Sequence, residues 1–332
     1  MNVPPESGIR VPAEDMRVLV RALFKKAGTS EEDAGFMAGL LVETDLRGVF
    51  SHGTGQTPTY VSYMLEGQVN PRPRISLVKE TPTTRVYDGD GGMGHMPTYR
   101  AMEWAVERAR ELGVAAATTR NHHHFGAAGK YSRLALEGDC IGLAVSSHRY
   151  PLERHRRNNI MGASGGSPFS IAIPAGEEPP LVPDMGTGFG WDEDIFAQYP
   201  WIYFKSLGLG ATMKALGGIL AGIEKPEFKR PISKWEANQG AFVAAFSIDC
   251  FMPVEEFKVE MDRYIGAARR LAPLPGQDRA ELAGGLEWLR EQEYARDGIP
   301  LSDGTRQGLE DIAGELGVET PFARWEHTRF GA

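Results

Sequence analysis

Residues 99–121, YRAMEWAVERARELGVAAATTRN, join a helical pattern directly to an extended one. In the first half, apolar side chains recur every three or four residues, which predicts a helix with one buried face over 99–112. These side chains are Met102, Ala105, Val106, Ala109 and Leu112. Gly113 is placed to end the helix, and the apolar run VAAATT follows as a strand. A helix that leads at once into a strand indicates a sheet covered by helices.

The same alternation continues on both sides. Residues 75–92, ISLVKETPTTRVYDGDGG, have the composition of extended structure with turns, and a helix rich in glycine and alanine ends near Glu137. A glycine-rich helix at 207–223 is expected to be buried, because glycines allow close backbone packing. We therefore expect an α/β domain over 73–253. Its further strands are CIGLAVSS (140–147), FSIAIP (169–174), PLVPDM (180–185) and GAFVAAFSID (240–249).

Both ends of the chain have a helical pattern instead. The apolar spacing after Pro12 predicts a helix that ends at Gly28, and Ser30 is the expected N-cap of a second helix. The tail from Val254 is also helical in its periodicity, with a last helix near 307–316. We therefore expect 1–72 and 254–332 to fold together as a helical domain beside the α/β domain.

The composition argues against several classes of protein. With 42% hydrophobic and 24% charged residues, the chain has enough apolar material for a large core. Its formal net charge of -8 argues against nucleic-acid binding. It has no run of about 18 apolar residues and no apolar leader, so we expect a cytoplasmic protein without a membrane partner. Cys140 and Cys250 lie in apolar segments where buried thiols are the default, and no metal-ligand spacing is present.

The segment GDGGMG, residues 89–94, matches the dinucleotide fingerprint G-x-G-x-x-G between an expected strand and an expected helix. Two features argue against that interpretation. Asp88 and Asp90 put carboxylates beside the position of the pyrophosphate, and the next strand ends without the acidic residue that binds the ribose. A glycine-rich turn is the preferred interpretation.

Three consecutive histidines, His122 to His124, come directly after the strand VAAATT. An extended segment directs at most two of them to one side. In one interpretation, the strand end delivers an imidazole to a cleft, and backbone N–H groups of the following residues bind an anionic cofactor. The alternatives are a structural loop and a metal site, although the sequence offers no matching carboxylate spacing for a metal.

Another histidine lies in RGVFSHGTGQ, residues 47–56, just past the end of an expected helix. His52 is either a polar residue satisfied at this junction or a group that exchanges a proton near neutral pH, for which imidazole is best suited. The hydroxyl of Ser51 is placed to orient the ring or to relay its proton. The carboxylate that would set the tautomer is one of Asp192, Glu193 and Asp194, and spacing does not choose among them.

Four stretches together resemble the type-2 malate/L-lactate dehydrogenase family, which includes sulfolactate, ureidoglycolate and diketogulonate oxidoreductases and reductases of piperidine-2-carboxylate imines. They are DLRGVFSHG (45–53), NHHHFGAAGKYS (121–132), SPFSIAIPAGEEPPLVPDMGTG (167–188) and GLGATMKALGGILAG (208–222). The resemblance spans roughly residues 12–316. It implies a homodimeric oxidoreductase with a non-Rossmann, three-layer α/β body that binds NAD or NADP. The helical domain would bind substrate and form dimer contacts.

The resemblance also implies roles for individual residues. Ser51, His52 and Asp194 would form a relay, in which His52 donates a proton while hydride passes between nicotinamide and the carbon of a 2-oxo/2-hydroxy acid or cyclic imino acid. His124 is the competing proton donor. The implied cofactor contacts are His124, Phe125, Gly126, Ala127, Ala128, Asp184, Met185, Gly186, Lys205 and Ser206. The substrate contacts are Arg47, Gln56, Tyr60, Arg149 and Gly166.

Several of these positions depart from the family pattern. Gln56 stands where the family has an arginine that grips the substrate carboxylate, and Gly166 stands where it has a threonine. The turn K-G-Y-G of the family reads KSLG at 205–208. One hypothesis is altered specificity, in which Arg47, Arg149 or the basic cluster 154–157 holds the acid. The alternative is the same fold without redox chemistry, in a ligand-binding or non-redox enzyme.

Overall fold

The computed structural model describes residues 3–149, 159–188, 190–225, 235 and 237–331. The chain divides into two compact units, here called the terminal unit (1–72 and 285–332) and the central unit (73–284). In chain order, the strands and α-helices are β1 (Ile9–Val11), α1 (Ala13–Lys26), α2 (Glu31–Leu46), α3 (Thr57–Leu65), β2 (Ser76–Glu80), β3 (Thr84–Asp88), α4 (His95–Leu112), β4 (Val114–His122), α5 (Gly129–Ser132), β5 (Cys140–His148), β6 (Pro168–Ala172), β7 (Asp184–Gly186), α6 (Glu193–Gln198), α7 (Pro200–Lys214), β8 (Gln239–Ser247), α8 (Val254–Arg269), α9 (Gly285–Asp297), β9 (Ile299–Leu301) and α10 (Asp303–Leu316).

The terminal unit is mainly helical and is built from both ends of the chain. Strand β1 pairs antiparallel with β9, with Ile9 opposite Leu301, and this pairing connects the two ends. The predicted apolar face of α1 is buried. Ser30 caps α2 as expected, because its hydroxyl accepts the N–H of Asp33 at 3.0 Å. Gly28 has φ of 94°, a left-handed conformation that suits the residue after a helix.

The central unit contains a seven-stranded sheet in the order β2-β3-β4-β8-β5-β6-β7. Only the β3–β4 pair is parallel, and the other five pairs are antiparallel. Helix α4 packs on β4 and β8, with Met102, Ala105, Val106 and Ala109 of its predicted face buried and Leu112, in the last turn, exposed. Gly113 has φ of 91° and ends the helix, so β4 begins at once. An α/β protein with a mixed sheet is therefore confirmed.

The glycine-rich segment 89–94 connects β3 to α4, and β4 then pairs parallel with β3. This is the strand-loop-helix-strand order in which a dinucleotide fingerprint operates. The glycines nevertheless face protein. A Cβ at Gly91 would overlap the side chain of Trp235, and one at Gly94 would lie 2.5 Å from Nδ1 of His122. These contacts support the glycine-rich turn that the sequence favours.

Helix α8 belongs to the central unit, although the sequence analysis placed the domain boundary at 254. Its Asp262 carboxylate accepts the backbone N–H groups of residues 176–178 at 2.8 to 3.1 Å. Arg269 forms an ion pair with Glu178, with 2.5 Å between Nη1 and Oε2. The helical periodicity predicted after Val254 is confirmed, and Ile265 is buried on this helix. The observed boundary is therefore at 284/285.

Helix α7 differs from the buried helix predicted at 207–223. It begins at Pro200 and continues into a π-helical turn over Ala215–Leu220. Gly217 is buried against β5, since a Cβ there would lie 2.8 Å from the carbonyl carbon of Ser146. Leu209, Ile219 and Leu220 are exposed. Close packing through glycine is thus correct for one face only, and the prediction of full burial is wrong.

The two cysteines have different environments. Cys140 is buried, and its burial raises the pKa of the thiol to about 11. Cys250 is exposed, so the expected burial is wrong for this residue. It lies in a short 3-10 helix, Ile248–Cys250, after β8, where the backbone has already left the sheet.

Candidate active site

The predicted proton donor lies in the terminal unit, on a loop between α2 and α3. Two 3-10 turns form this loop, over Phe50–His52 and Thr54–Gln56. The hydroxyl of Ser51 lies 2.8 Å from Nδ1 of His52, which is half-buried. Because a hydroxyl both donates and accepts, Ser51 is able to pair with either neutral tautomer of the ring. The predicted pairing of these two residues is therefore present.

Gln56 also contacts this loop. Its side-chain amide donates to the carbonyl oxygen of Ser51 at 2.8 Å. This hydrogen bond holds the turn that carries His52. The family pattern has an arginine at the position of Gln56. An amide carries no charge, so it does not supply a cation for a carboxylate.

Arg47 and Tyr60, two predicted substrate contacts of the same unit, are engaged with protein. Arg47 forms an ion pair with Glu291, with 3.2 Å between Nη2 and Oε1. Tyr60 is 1% exposed, and burial raises the pKa of its phenol. The structure thus places Tyr60 in the core of the terminal unit.

The three histidines at the end of β4, in the central unit, have separate environments. His122 is fully buried; its Nδ1–H donates to the carbonyl of His123 at 2.8 Å, and its Nε2 accepts from the Thr119 hydroxyl at 2.9 Å. His123 bonds through Nε2 to the carbonyl of Trp235. His124 is half-buried, and its backbone carbonyl accepts the N–H of Gly94 at 3.0 Å. His122 is therefore structural, which leaves His124 as the functional candidate of the three.

We expect His122 to make the stability of the protein depend on pH. Burial lowers its pKa to about 4, whereas an unfolded histidine has a pKa of about 6.5. As the pH falls below about 6.5 the unfolded state takes up a proton first, so the free energy of unfolding falls by up to about 3 kcal/mol by pH 4. Urea titrations at several pH values measure this loss. The His122→Gln variant should lose this part of the dependence, and an unchanged slope would contradict the assignment.

The segment after His124 forms a cradle of small residues. Phe125 stacks on Tyr131 with 5.0 Å between ring centroids, and it anchors the segment in the core. Gly126 has φ of 79°, and a Cβ there would lie 2.8 Å from Nε2 of His95 and 2.9 Å from Nζ of Lys130. His95 and Lys130 are both buried, and the sequence analysis missed them. His95 directly follows GDGGMG, but the sequence analysis considered only the glycines of that segment.

Asp184 connects this cradle to β7, because its Oδ2 accepts the N–H of Gly129 at 3.0 Å. Beyond it, Thr187 is buried and bonds through its hydroxyl to the carbonyl of Ser167 at 2.8 Å. Gly166 has φ of 60° and open space where a Cβ would stand. Gly186 and Gly188 lie beside it, and both are exposed. The result is an open, glycine-lined surface that permits close backbone approach by a ligand.

Three further predicted residues lie on α6 and α7. Asp194 is exposed in the first turn of α6, and Asp192 caps that helix through the N–H of Ile195 at 2.9 Å. The predicted cofactor turn at 205–208 is instead helical, within α7. Lys205 lies over the ring of Trp201, 5.0 Å from its centroid, and the Ser206 hydroxyl donates to the carbonyl of Thr187 at 2.7 Å. Ser206 therefore touches the glycine-lined surface.

Arg149 directly follows β5 and is half-buried as a residue. Its Nη1 is shielded from solvent and has no hydrogen-bond partner within the described part of the chain. Its backbone N–H donates to the carbonyl of Asn238 at 2.8 Å, which fixes the main chain here. The other basic candidate, the cluster at 154–157, lies outside the described residues. A buried guanidinium N–H favours an anionic partner.

The predicted relay draws on both units, since Ser51 and His52 belong to the terminal unit and Asp194 belongs to the central unit. Among the residues that the structure describes, no group of three or more His, Cys, Asp or Glu side chains is arranged to hold a metal ion. No helix in the described ranges has both the length and the apolar character needed to cross a membrane.

Comparison with known proteins gives consistent matches. A family model described as malate/L-lactate dehydrogenase matches residues 11–189 and 194–310. The malate dehydrogenase of Pyrococcus abyssi is 30% identical over 353 aligned positions, which cover 95% of this chain and 97% of that protein. The L-sulfolactate dehydrogenase of Methanocaldococcus jannaschii is 29% identical and covers 92% of this chain and 96% of its own. Among solved structures, malate dehydrogenase from Pyrococcus horikoshii OT3 superposes with a TM-score of 0.82 at 28% identity, covering 96% of this chain and 99% of that one.

Proposed function

The chain belongs to the malate/L-lactate dehydrogenase family and is a dehydrogenase or reductase, and we propose that it uses NAD or NADP to interconvert a 2-oxo and a 2-hydroxy acid, or a cyclic imino acid and its amine. The observation that carries the proposal is the Ser51–His52 pair, held on a braced turn with 2.8 Å between hydroxyl and ring nitrogen. Such a pair is suited to deliver a proton near neutral pH.

The residues of the central unit fit a dinucleotide. The open surface at Gly166, Gly186 and Gly188 has no side chains that would keep an extended cofactor away from the backbone, whereas Gly126 and Gly129 face the side chains of His95, Lys130 and Asp184. The cofactor, when bound, supplies the hydride, and the protein orients it and provides the proton. The backbone N–H groups of Gly129 to Ser132 already donate within the chain, so those of Ala127 and Ala128, with the side chains of Lys205 and Ser206, would hold it.

The protein's own chemistry is then a proton transfer. In the reductive direction, His52 donates a proton to the oxygen or nitrogen on the reacting carbon, and Ser51 keeps the ring oriented. In the oxidative direction, His52 takes that proton back. His124 is the competing donor, since it is half-buried at the start of the cofactor cradle.

The substrate carboxylate needs a cation, and we assign Arg149 to it. Gln56 carries no charge and braces Ser51, and Arg47 is paired with Glu291. Arg149 and Arg47 each have a buried guanidinium nitrogen that lacks a hydrogen-bond partner among the described residues, but only Arg47 is already neutralised by an ion pair in the described part of the chain. Its position at a strand end of the same unit as the cradle suits a ligand contact.

The proposal is tested with purified protein, NADH or NADPH, and a panel of 2-oxo and cyclic imino acids. Oxidation of either cofactor with at least one substrate is expected, and the ratio of the two rates tells which cofactor is preferred. The second candidate function, a non-redox protein on the same fold, is favoured by Gln56 and Gly166. It predicts that neither reduced cofactor binds in a fluorescence titration. The expected compartment is the cytoplasm.

We also propose that the protein is a homodimer. Trp201, Phe204, Ile219 and Leu220 are each more than half exposed on α7 and the π-helical turn that follows it. Large apolar side chains exposed along one helical segment favour an association surface. The sequence analysis expected dimer contacts in the helical domain, and this surface is in the central unit.

A pair of charged substitutions distinguishes a dimer interface on α7 from one on the terminal unit. Phe204→Asp is expected to convert the dimer to a monomer in sedimentation at micromolar concentration, because it buries a carboxylate in an apolar contact. Val18→Asp, at an exposed apolar residue of α1, is the matched control and should leave the dimer intact. Dissociation by Val18→Asp alone would place the interface in the terminal unit, and a monomeric wild type would refute the dimer.

A further inference from the structure

We propose that Asp45 is a positioning residue for His52, acting as a buried clamp that fixes the turn on which the histidine stands. The inference rests on the proposed function, because positioning matters only if His52 transfers a proton. It concerns residues of the terminal unit alone.

The first observation is where Asp45 lies. It occupies the last turn of α2, a turn that has no basic residue, and it is 3% exposed. A carboxylate at a helix C-terminus faces the negative end of the helix dipole, which favours cations there. Burial adds a second cost, because an ionised carboxylate loses its hydration. Neither helix formation nor core packing explains an aspartate at this position.

Two described hydrogen bonds of the Asp45 carboxylate offset these costs, and both come from the histidine-bearing loop. Its Oδ2 accepts the backbone N–H of Thr54 at 2.9 Å and the Thr54 hydroxyl at 2.5 Å. Thr54 is itself fully buried. A Cβ at Gly53, the residue between His52 and Thr54, would overlap the Asp45 carboxylate, so the chain passes directly over it. Hydrogen bonds to a charged acceptor are stronger than neutral ones.

A cavity shows why packing alone does not hold this loop. A partly open space of about 150 Å³ borders the loop, and its lining includes Asp45, Phe50, Gly55 and residues 299–302. The turn therefore has fewer packed neighbours where it borders this space, which leaves more of its positioning to hydrogen bonds. The clamp at Asp45–Thr54 and the brace from Gln56 to Ser51 attach the turn on either side of His52.

The consequence is a kinetic one. A proton donor displaced by about 1 Å can lose on the order of 10²-fold in rate, because the transfer needs a well-aligned donor. Loosening the clamp should slow proton delivery while cofactor binding, which we assign to residues of the central unit, stays unchanged.

Two substitutions at Thr54 test the clamp. Thr54→Val keeps the shape but removes the hydroxyl donor, and Thr54→Ser keeps the donor and is the matched control. For Thr54→Val we expect kcat to fall by about 10-fold to 100-fold with an unchanged KM for the reduced cofactor. The solvent deuterium isotope effect on kcat should increase, because proton transfer limits the rate more strongly. Thr54→Ser should keep wild-type values for all three quantities.

Hydrogen–deuterium exchange provides a readout that does not depend on turnover. Amides of residues 47–56 should exchange about tenfold faster in Thr54→Val and at the wild-type rate in Thr54→Ser. Wild-type exchange and a wild-type isotope effect in Thr54→Val would overturn the clamp. A wild-type protein that oxidises no cofactor refutes the proposed function instead, and the exchange rates still decide whether Asp45 fixes the loop.

Discussion

Replacing His52 with glutamine is expected to lower kcat by a factor of about 10² to 10⁴, the usual contribution of a general acid or base. Glutamine preserves a polar side chain on the turn but does not donate a proton and regain it. The affinity for the reduced cofactor should stay at the wild-type value, because we assign that site to the cradle after His124. Steady-state kinetics and a fluorescence titration measure the two quantities on the same preparation.

His124→Gln is the matched control for this prediction, since His124 is the competing proton donor and is also half-buried. We expect it to raise the KM for the cofactor with a smaller effect on kcat. Ser51→Ala should give an intermediate loss of kcat, as the ring loses its 2.8 Å partner at Nδ1. If His124→Gln abolishes turnover while His52→Gln leaves it unchanged, the two roles are reversed.

The second large effect is expected at Arg149. Arg149→Gln should raise the KM for an acidic substrate by about 10-fold to 100-fold, because a charge-assisted hydrogen bond contributes about 1.5 to 3 kcal/mol. Hydride and proton transfer need the substrate aligned, so kcat should fall less than in His52→Gln. Initial rates over a range of substrate concentrations measure both parameters.

Arg47→Gln is the control for Arg149, since Arg47 was an equal candidate from the sequence. Its guanidinium is paired with Glu291 at 3.2 Å, and loss of a partly exposed pair costs at most about 1 kcal/mol of stability. We expect its substrate KM to stay close to wild type. A larger effect at Arg47 than at Arg149 would move the carboxylate site to the terminal unit.

Much of the fold could be predicted because its signals are local. The spacing in 99–112, the glycine at 113 and the apolar run after it determine α4 and β4 within the chain itself. The Ser30 cap is likewise a local hydrogen bond, 3.0 Å to Asp33. GDGGMG was rejected as a dinucleotide fingerprint partly on local chemistry, namely the carboxylates of Asp88 and Asp90 beside its glycines.

The features that the sequence analysis missed depend on distant partners. Strands β1 and β9 have three residues each and pair across almost the whole chain, so neither has a periodic signal of its own. The unit to which α8 belongs is decided by contacts of Asp262 with residues 176–178. The exposed face of α7 has the composition of a buried one, so its apolar pattern does not distinguish a buried face from an exposed one.

The candidate site shows the same division. Ser51 and His52 are adjacent in sequence, so their pairing could be predicted from position. The Asp45–Thr54 clamp spans the end of a helix and two 3-10 turns, and no standard motif describes it. A signal was present all the same, because an acidic residue in the last turn of a helix is electrostatically misplaced. His95 and Lys130 become visible only when folding brings both to Gly126.

Transfer of deuterium from a labelled cofactor tests the central claim most directly. The protein is incubated with NADH or NADPH deuterated at the hydride-donating carbon and with a panel of 2-oxo and cyclic imino acids, and the products are examined by mass spectrometry. The account predicts one deuterium on the former carbonyl or imine carbon of at least one product, in wild type and not in His52→Gln over the same time. Unlabelled products with every substrate, together with the absence of binding of either reduced cofactor, would contradict it.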